Sequence, residues 1–159
     1  MQVDSDELKK FSPDTSVDSS LTFGMKKKMK IPGFKNKTAL VPTIDENYIF
    51  DEETTTSILV GFKFNKKVLI QGLHGTGKSS HIEQVASRLN WPCLRINLDG
   101  HISRFDLLGK DSIILKNNKQ VTTFKEGLLP WAIQNPVALV LDEYDAGRPD
   151  VMFVIQRIL

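Results

Sequence analysis

The segment KVLIQGLHGTGKSSHIEQVASRLN, residues 67–90, constrains this chain more than any other part of it. Within it, Gly72-Leu73-His74-Gly75-Thr76-Gly77-Lys78-Ser79 combines a glycine-rich turn with a lysine and a serine at its end. Glycine lets consecutive backbone N–H groups turn toward one centre, an arrangement that suits the oxygens of an anion. In front of the loop, KVLIQ reads as a short buried strand. Behind it, Ile82, Val85, Ala86 and Leu89 share one face of a helix. A strand, a glycine loop and a helix start, in that order, make a phosphate cradle, because the positive helix end adds to the loop amides. Lys78 can reach the β- and γ-phosphates of a nucleotide, and the Ser79 hydroxyl suits Mg2+, which prefers hard oxygen donors. Gly72, Gly75, Thr76, Gly77, Lys78, Ser79 and Ser80 are the expected nucleotide-binding residues. His74 reads as loop packing and His81 as a surface or half-buried helix residue. With His101 and Cys93 they show no metal-ligand spacing, which argues against a transition-metal site.

A second motif, VALVLDEYD, supplies the complement. Its apolar run reads as a strand covered on both faces, and it ends in Asp142 and Glu143. Asp142 is expected to orient Mg2+ through its water shell, and Glu143 to polarise a water facing the γ-phosphate. The catalytic pair is then Glu143 and Lys78, and the metal-holding pair Ser79 and Asp142. Enzymes that transfer phosphate need an acceptor site and commonly lack such an Asp-Glu ending. A guanine-nucleotide switch needs D-x-x-G after a strand. Asp106–Gly109 matches those letters, but HISRF before it makes a poor strand, and no N-K-x-D occurs. ATP hydrolysis coupled to conformational change fits best.

The rest of the chain sets the frame. Its 159 residues suffice for about one domain. A formal charge of only +2 argues against a dedicated nucleic-acid binder. The single cysteine, Cys93, permits no internal disulfide and fits a reducing compartment. No apolar run reaches the ~18 residues that span a bilayer, and the N-terminus has no apolar signal core; a cytoplasmic protein is expected. Residues 1–24 are rich in Asp, Ser and Thr, and SPDTSVDSS has neither helical nor strand period, so disorder is expected there. Residues 25–50 read as a basic extension or linker, with six lysines between Met25 and Lys37 forming a solvated charge run. The folded domain is expected over 51–159. Asp51 can cap a helix carrying Glu52 and Glu53 in its first turn and Ile58, Leu59 and Phe62 on its apolar face. PCLRINL reads as a second strand, and DSIILKNNKQVTTF as a hairpin turning at Asn117-Asn118. GLLPWAIQN and DVMFVIQRIL read as helices. The pattern is α/β with a parallel sheet and ligands at the strand C-termini.

The runs GLHGTGKSSHIEQVASRLNWPCLRINLDGHISRFDLLGKD, GLLPWAIQ and LVLDEYDAGRPDVMFVIQRIL resemble the S-subunit family of aerobic cobaltochelatases, AAA+ ATPases of the MoxR-like group. The resemblance includes MKIPGF and YIFDEETTTSILVGFKFNKKVLIQG, and so covers roughly residues 25–159. The glycine loop and the Asp-Glu strand are common to AAA+ proteins; DEYDAGRPDVMF and HGTGKSSHIEQVA are more specific. The resemblance implies a P-loop NTPase fold, a three-layer α/β/α arrangement with a mostly parallel sheet in strand order 5-1-4-3-2. This sequence supplies strands 1–3 only, which implies an N-terminal fragment without the polar sensor, arginine finger and lid. The resemblance also implies ATP and Mg2+ as cofactors and a homo-oligomeric ring. The implied partners are a T subunit and a large N subunit, the latter holding cobalt and corrin. The implied activity is to power insertion of Co2+ into hydrogenobyrinic acid a,c-diamide in cobalamin biosynthesis. The hairpin near residues 112–124 matches an insert through which this group touches partners. Arg148 and Arg157 stand where they reach a neighbouring subunit's nucleotide or form surface salt bridges. Two other readings stay open: a MoxR-like remodelling ATPase acting on another metalloprotein, and a truncated non-catalytic nucleotide-binding module.

Overall fold

The computed structural model describes residues 12–116 and 119–159. These fall into two units. One holds the described residues up to Arg95 together with Pro136–Val140; the other holds Ile96–Asn135 and Leu141–Leu159.

In the first unit, strand β1 (Thr15–Asp18) pairs antiparallel with β2 (Lys30–Gly33), from Thr15 opposite Gly33 to Asp18 opposite Lys30. The short helix α1 (Ser19–Phe23) lies between them in sequence. The expectation of disorder over residues 1–24 is therefore corrected for residues 12–24; residues 1–11 lie outside the described residues. The polar letters are used locally. Asp18 accepts from the Ser20 N–H at 3.0 Å and from the Ser20 hydroxyl at 2.6 Å. The Ser19 hydroxyl donates to the Lys27 carbonyl at 2.9 Å and accepts from the Met29 N–H at 2.8 Å. Few apolar side chains are needed, because Phe23 and Met25 join a core built mainly by other elements. Residues 25–50 also differ from the expected linker. All six lysines are exposed, but Met25, Ile31 and Phe34 among them are buried.

Helix α2 (Glu52–Phe64) starts where Asp51 accepts from the Thr54 N–H at 2.8 Å, and it ends at Asn65 in the left-handed conformation. Its buried Ile58 and Leu59 meet Val85 and Leu89 at and just beyond helix α3 (Lys78–Arg88), along with Ile31 and Phe23. Phe62, Ile70, Ile82 and Trp91 pack around that cluster. Trp91 meets the rings of Phe34 and Phe62 edge-on at 5.1 and 5.2 Å.

The segment KVLIQ belongs to no strand, contrary to expectation. Leu69 is 74% exposed and only Ile70 packs on the core. An extended segment becomes a strand through a hydrogen-bonded neighbour, and none of the sheets among the described residues includes this one. The remaining expected strands do pair: β3 (Cys93–Asn97) lies beside β6 (Ala138–Asp142). At one end the Ala138 N–H donates to the Pro92 carbonyl, and at the other the Leu98 N–H donates to the Asp142 carbonyl. Both strands advance together between these bonds, so the pair is parallel. The other two sheets among the described residues are antiparallel pairs, a smaller parallel share than the sequence suggested.

In the second unit, α4 (Arg104–Leu108) packs on α5 (Leu128–Gln134) and α6 (Pro149–Gln156), burying Leu107, Leu129, Ala132, Val151 and Ile155. Pro130 is the third residue of α5 and Pro149 the first of α6. Neither breaks its helix, because first-turn N–H groups have no intrahelical acceptor to lose. The hairpin β4 (Gly109–Lys116) and β5 (Lys119–Glu126) extends beyond the expected bounds at both ends. Its turn residues Asn117 and Asn118 lie outside the described residues. β5 is exposed throughout.

Candidate phosphate-binding site

The glycine loop closes on itself. Gly75 and Gly77 have φ of +76° and +79°, a region that side chains disfavour, and open space surrounds both α-carbons. Helix α3 begins at Lys78, so the positive end of its macrodipole lies at the loop. The Lys78 ammonium turns back over the loop and donates to the carbonyls of Gly72 at 2.9 Å and Leu73 at 2.8 Å. The Thr76 hydroxyl donates to the Leu73 carbonyl at 2.9 Å. Gly72–Gly77 are exposed, and Lys78 and Ser79 are half-buried. The donors present are therefore loop amides, one ammonium and hydroxyls, with no carboxylate among them. That set fits the phosphate groups of a nucleotide.

The expected phosphate residues, Gly72 through Ser80, come together in the first unit. Asp142 and Glu143 stand in the second, at the C-terminal end of β6. Asp142 Oδ1 accepts from the Glu143 N–H at 3.0 Å. Glu143 is exposed and takes φ +52°, one of three non-glycine residues with positive φ among those described. Asp106, the first letter of the D-x-x-G match, sits in a helix instead. Its carboxylate accepts from the Ser103 hydroxyl at 2.6 Å in a capping box, which holds its pKa below the usual carboxylate value. Arg148 pairs with Asp150 at 3.1 Å.

Sequence reasoning placed two histidines differently. His74 is exposed, so it does not pack the loop. His81 is buried, 7% exposed, with Nε2 2.8 Å from the Thr55 hydroxyl. Burial lowers its pKa below the ordinary imidazole value, a shift partly opposed by the Asp51 carboxylate. The available signal was spacing: His81, Gln84 and Arg88 recur at helical intervals on one face of α3, and a polar face can bind another part of the chain as readily as water. The half-buried Cys93 thiol is pushed up to about 12, mainly by burial and secondarily by Glu83. No cluster of metal-ligating residues occurs among the described residues. No helix among them is long and apolar enough to cross a membrane.

Comparison with known proteins gives a consistent set of likenesses. Residues 67–159 match the AAA domain (dynein-related subfamily). The chain is 59% identical over 147 residues to the aerobic cobaltochelatase subunit CobS of a Sinorhizobium species, covering 92% of this chain and 44% of that protein. It is 29% identical over 120 residues to midasin of Dictyostelium discoideum, covering 76% of this chain and 2% of midasin. It is 31% identical over 91 residues to the denitrification regulatory protein NirQ of Stutzerimonas stutzeri, covering 57% of this chain and 32% of that protein. The chain thus spans less than half the length of each of these relatives.

Proposed function

This chain belongs to the AAA domain family, in its dynein-related subfamily, and from that premise we propose that it binds and hydrolyses ATP as the ATPase subunit of an aerobic cobaltochelatase. The observation that carries the nucleotide reading is the Lys78 ammonium, held over a loop of exposed amides at the start of α3. Lys78 exchanges its two loop carbonyls for the β- and γ-phosphate oxygens, which add an opposite charge where the carbonyls offered only neutral acceptors. The amides of Gly75, Gly77 and the first turn of α3 complete the cradle. Ser79 and Asp142 are the residues that would hold Mg2+, which supplies neutralisation of phosphate charge when bound. Glu143 orients the attacking water and accepts its proton. The 59% identity to a cobaltochelatase subunit supports the larger reading. In it, the chain works in a homo-oligomeric ring beside a T subunit and a large N subunit, and ATP turnover drives Co2+ into hydrogenobyrinic acid a,c-diamide.

Two substitutions test the site. Lys78→Ala abolishes Mg·ATP binding in calorimetry; unchanged affinity overturns the phosphate assignment. Glu143→Gln keeps ATP bound within a few-fold and stops turnover, whereas a normal hydrolysis rate means that another group activates water. Reconstitution with the T and N subunits, Co2+ and the corrin substrate tests the chelatase reading through cobalt incorporation that depends on this subunit. A second reading is a MoxR-like remodelling ATPase acting on another metalloprotein; the chain is also similar to a protein named for a different process, the denitrification regulatory protein NirQ. ATP turnover without cobalt incorporation would favour it.

A further inference from the structure

We propose that His81 is a positioning residue for the phosphate loop, acting through its buried hydrogen bond to Thr55 on α2. The inference rests on the nucleotide-binding reading above and deepens it.

Several observations converge on this bond. The His81 N–H donates to the Gly77 carbonyl at 2.8 Å, so His81 closes the first turn of α3, the turn that presents Lys78 and Ser79. Its imidazole leaves that helix and meets Thr55, which is 0% exposed. Thr54, Thr56 and Ser57 spend their hydroxyls locally, on Asp51, the Glu52 carbonyl and the Glu53 carbonyl. Thr55, in the same run, sends its hydroxyl to another element instead. The rings of Tyr48 and Phe50 close on the imidazole edge-on, each at 5.6 Å.

The same face of α3 continues the grip. Gln84 donates to the Thr43 carbonyl at 3.0 Å and accepts from the Asp45 N–H at 2.9 Å. Arg88 donates to the Asp45 carbonyl at 2.7 Å and lies 4.8 Å from the Phe50 ring centre. His81, Gln84 and Arg88 therefore fasten α3 to the segment 43–55, with His81 nearest the loop.

A phosphate loop is fixed by the segment entering it and the helix leaving it. The entering segment packs on the core through Ile70. On the leaving side, the placement of Lys78 and Ser79 depends on the first turn of α3, which His81 fixes sideways. Displacements on the order of 1 Å in such a group can cost about a hundredfold in function.

The test measures Mg·ADP affinity of the protein by calorimetry, with thermal unfolding followed in parallel. Thr55→Val keeps the volume and removes the hydroxyl; His81→Leu removes the imidazole; His81→Gln retains an amide that can reach Thr55. Thr55→Val and His81→Leu are each expected to weaken ADP about tenfold, and His81→Gln to stay within about threefold of wild type. The double variant Thr55→Val/His81→Leu is no weaker than His81→Leu alone, since both changes remove one tie. Wild-type affinity in Thr55→Val, or equal weakness in His81→Gln and His81→Leu, overturns the proposal. If His81→Leu fails to fold, the volume-conserving Thr55→Val and the bond-retaining His81→Gln carry the comparison. If the wild-type protein binds no ADP, the nucleotide reading itself falls. Amide hydrogen exchange over residues 77–85 of the ligand-free protein then judges the tie separately. Faster exchange in Thr55→Val supports it, and unchanged protection overturns it.

Discussion

Gly77 is the residue on which the loop turns. It precedes α3 at φ +79°, and a methyl group there would meet nothing within 4 Å. Any cost of a side chain is therefore backbone strain. Gly77→Ala is expected to lower unfolding stability by about 1–2 kcal/mol, read as a shifted urea midpoint with unchanged slope. Gly77→Asn should lose less, because asparagine tolerates the left-handed region. Asp18 makes a second, pH-dependent prediction. Hydrogen bonds from the Ser20 side chain and from Lys28, and then the Ser20 amide, lower its pKa from 3.8 to about 2. A carboxyl whose folded pKa is depressed stabilises the fold above its unfolded pKa and loses that contribution as pH falls. Urea midpoints of the wild type should therefore drop more steeply than those of Asp18→Asn between pH 4 and pH 2. Parallel curves would show that Asp18 is not differentially stabilised. Asp18 is also where the sequence misled: SPDTSVDSS looks like solvated chain, because the partners that hold it, Lys28 on Asp18 and Met29 on Ser19, stand ten residues later.

Elements built by local rules were legible. Asp51 announces α2 and Gly77 announces α3, and the helical spacing of Ile58, Leu59 and Phe62 on one, and of Ile82, Val85 and Leu89 on the other, marks the faces that share a core. Leu59 is fully buried where α2 meets α3, so Leu59→Ala should cost about 2–5 kcal/mol. Chemical denaturation of the variant checks it, and a loss below about 1 kcal/mol would mean the site collapses to fill the gap. Elements built by pairing were less legible. β1 and β2 meet across residues that no short window contains. KVLIQ has a strand's composition, yet composition cannot supply the neighbouring strand that would make it one. The candidate site divides along the same line. The loop and its lysine are contiguous in sequence and readable from it, whereas the burial of His81 depends on Tyr48, Phe50 and Thr55, about thirty residues away. A histidine on a helix face reads the same whether it meets water or threonine.

At the scale of the whole molecule, the two units use different means to make small cores. The first packs β2 and two helices, α2 and α3, about one apolar cluster. The second packs short helices beneath a hairpin whose side chains, Ile113, Leu115 and Phe124 among them, stay exposed. Each unit also carries one of the chain's two tryptophans, Trp91 in the first and Trp131 in the second. Trp91 lies against two phenylalanine rings. Replacing either indole with phenylalanine leaves a single tryptophan, so emission from each half, excited to the red of the two tyrosines' absorption, can be followed alone during denaturation, without attaching a dye.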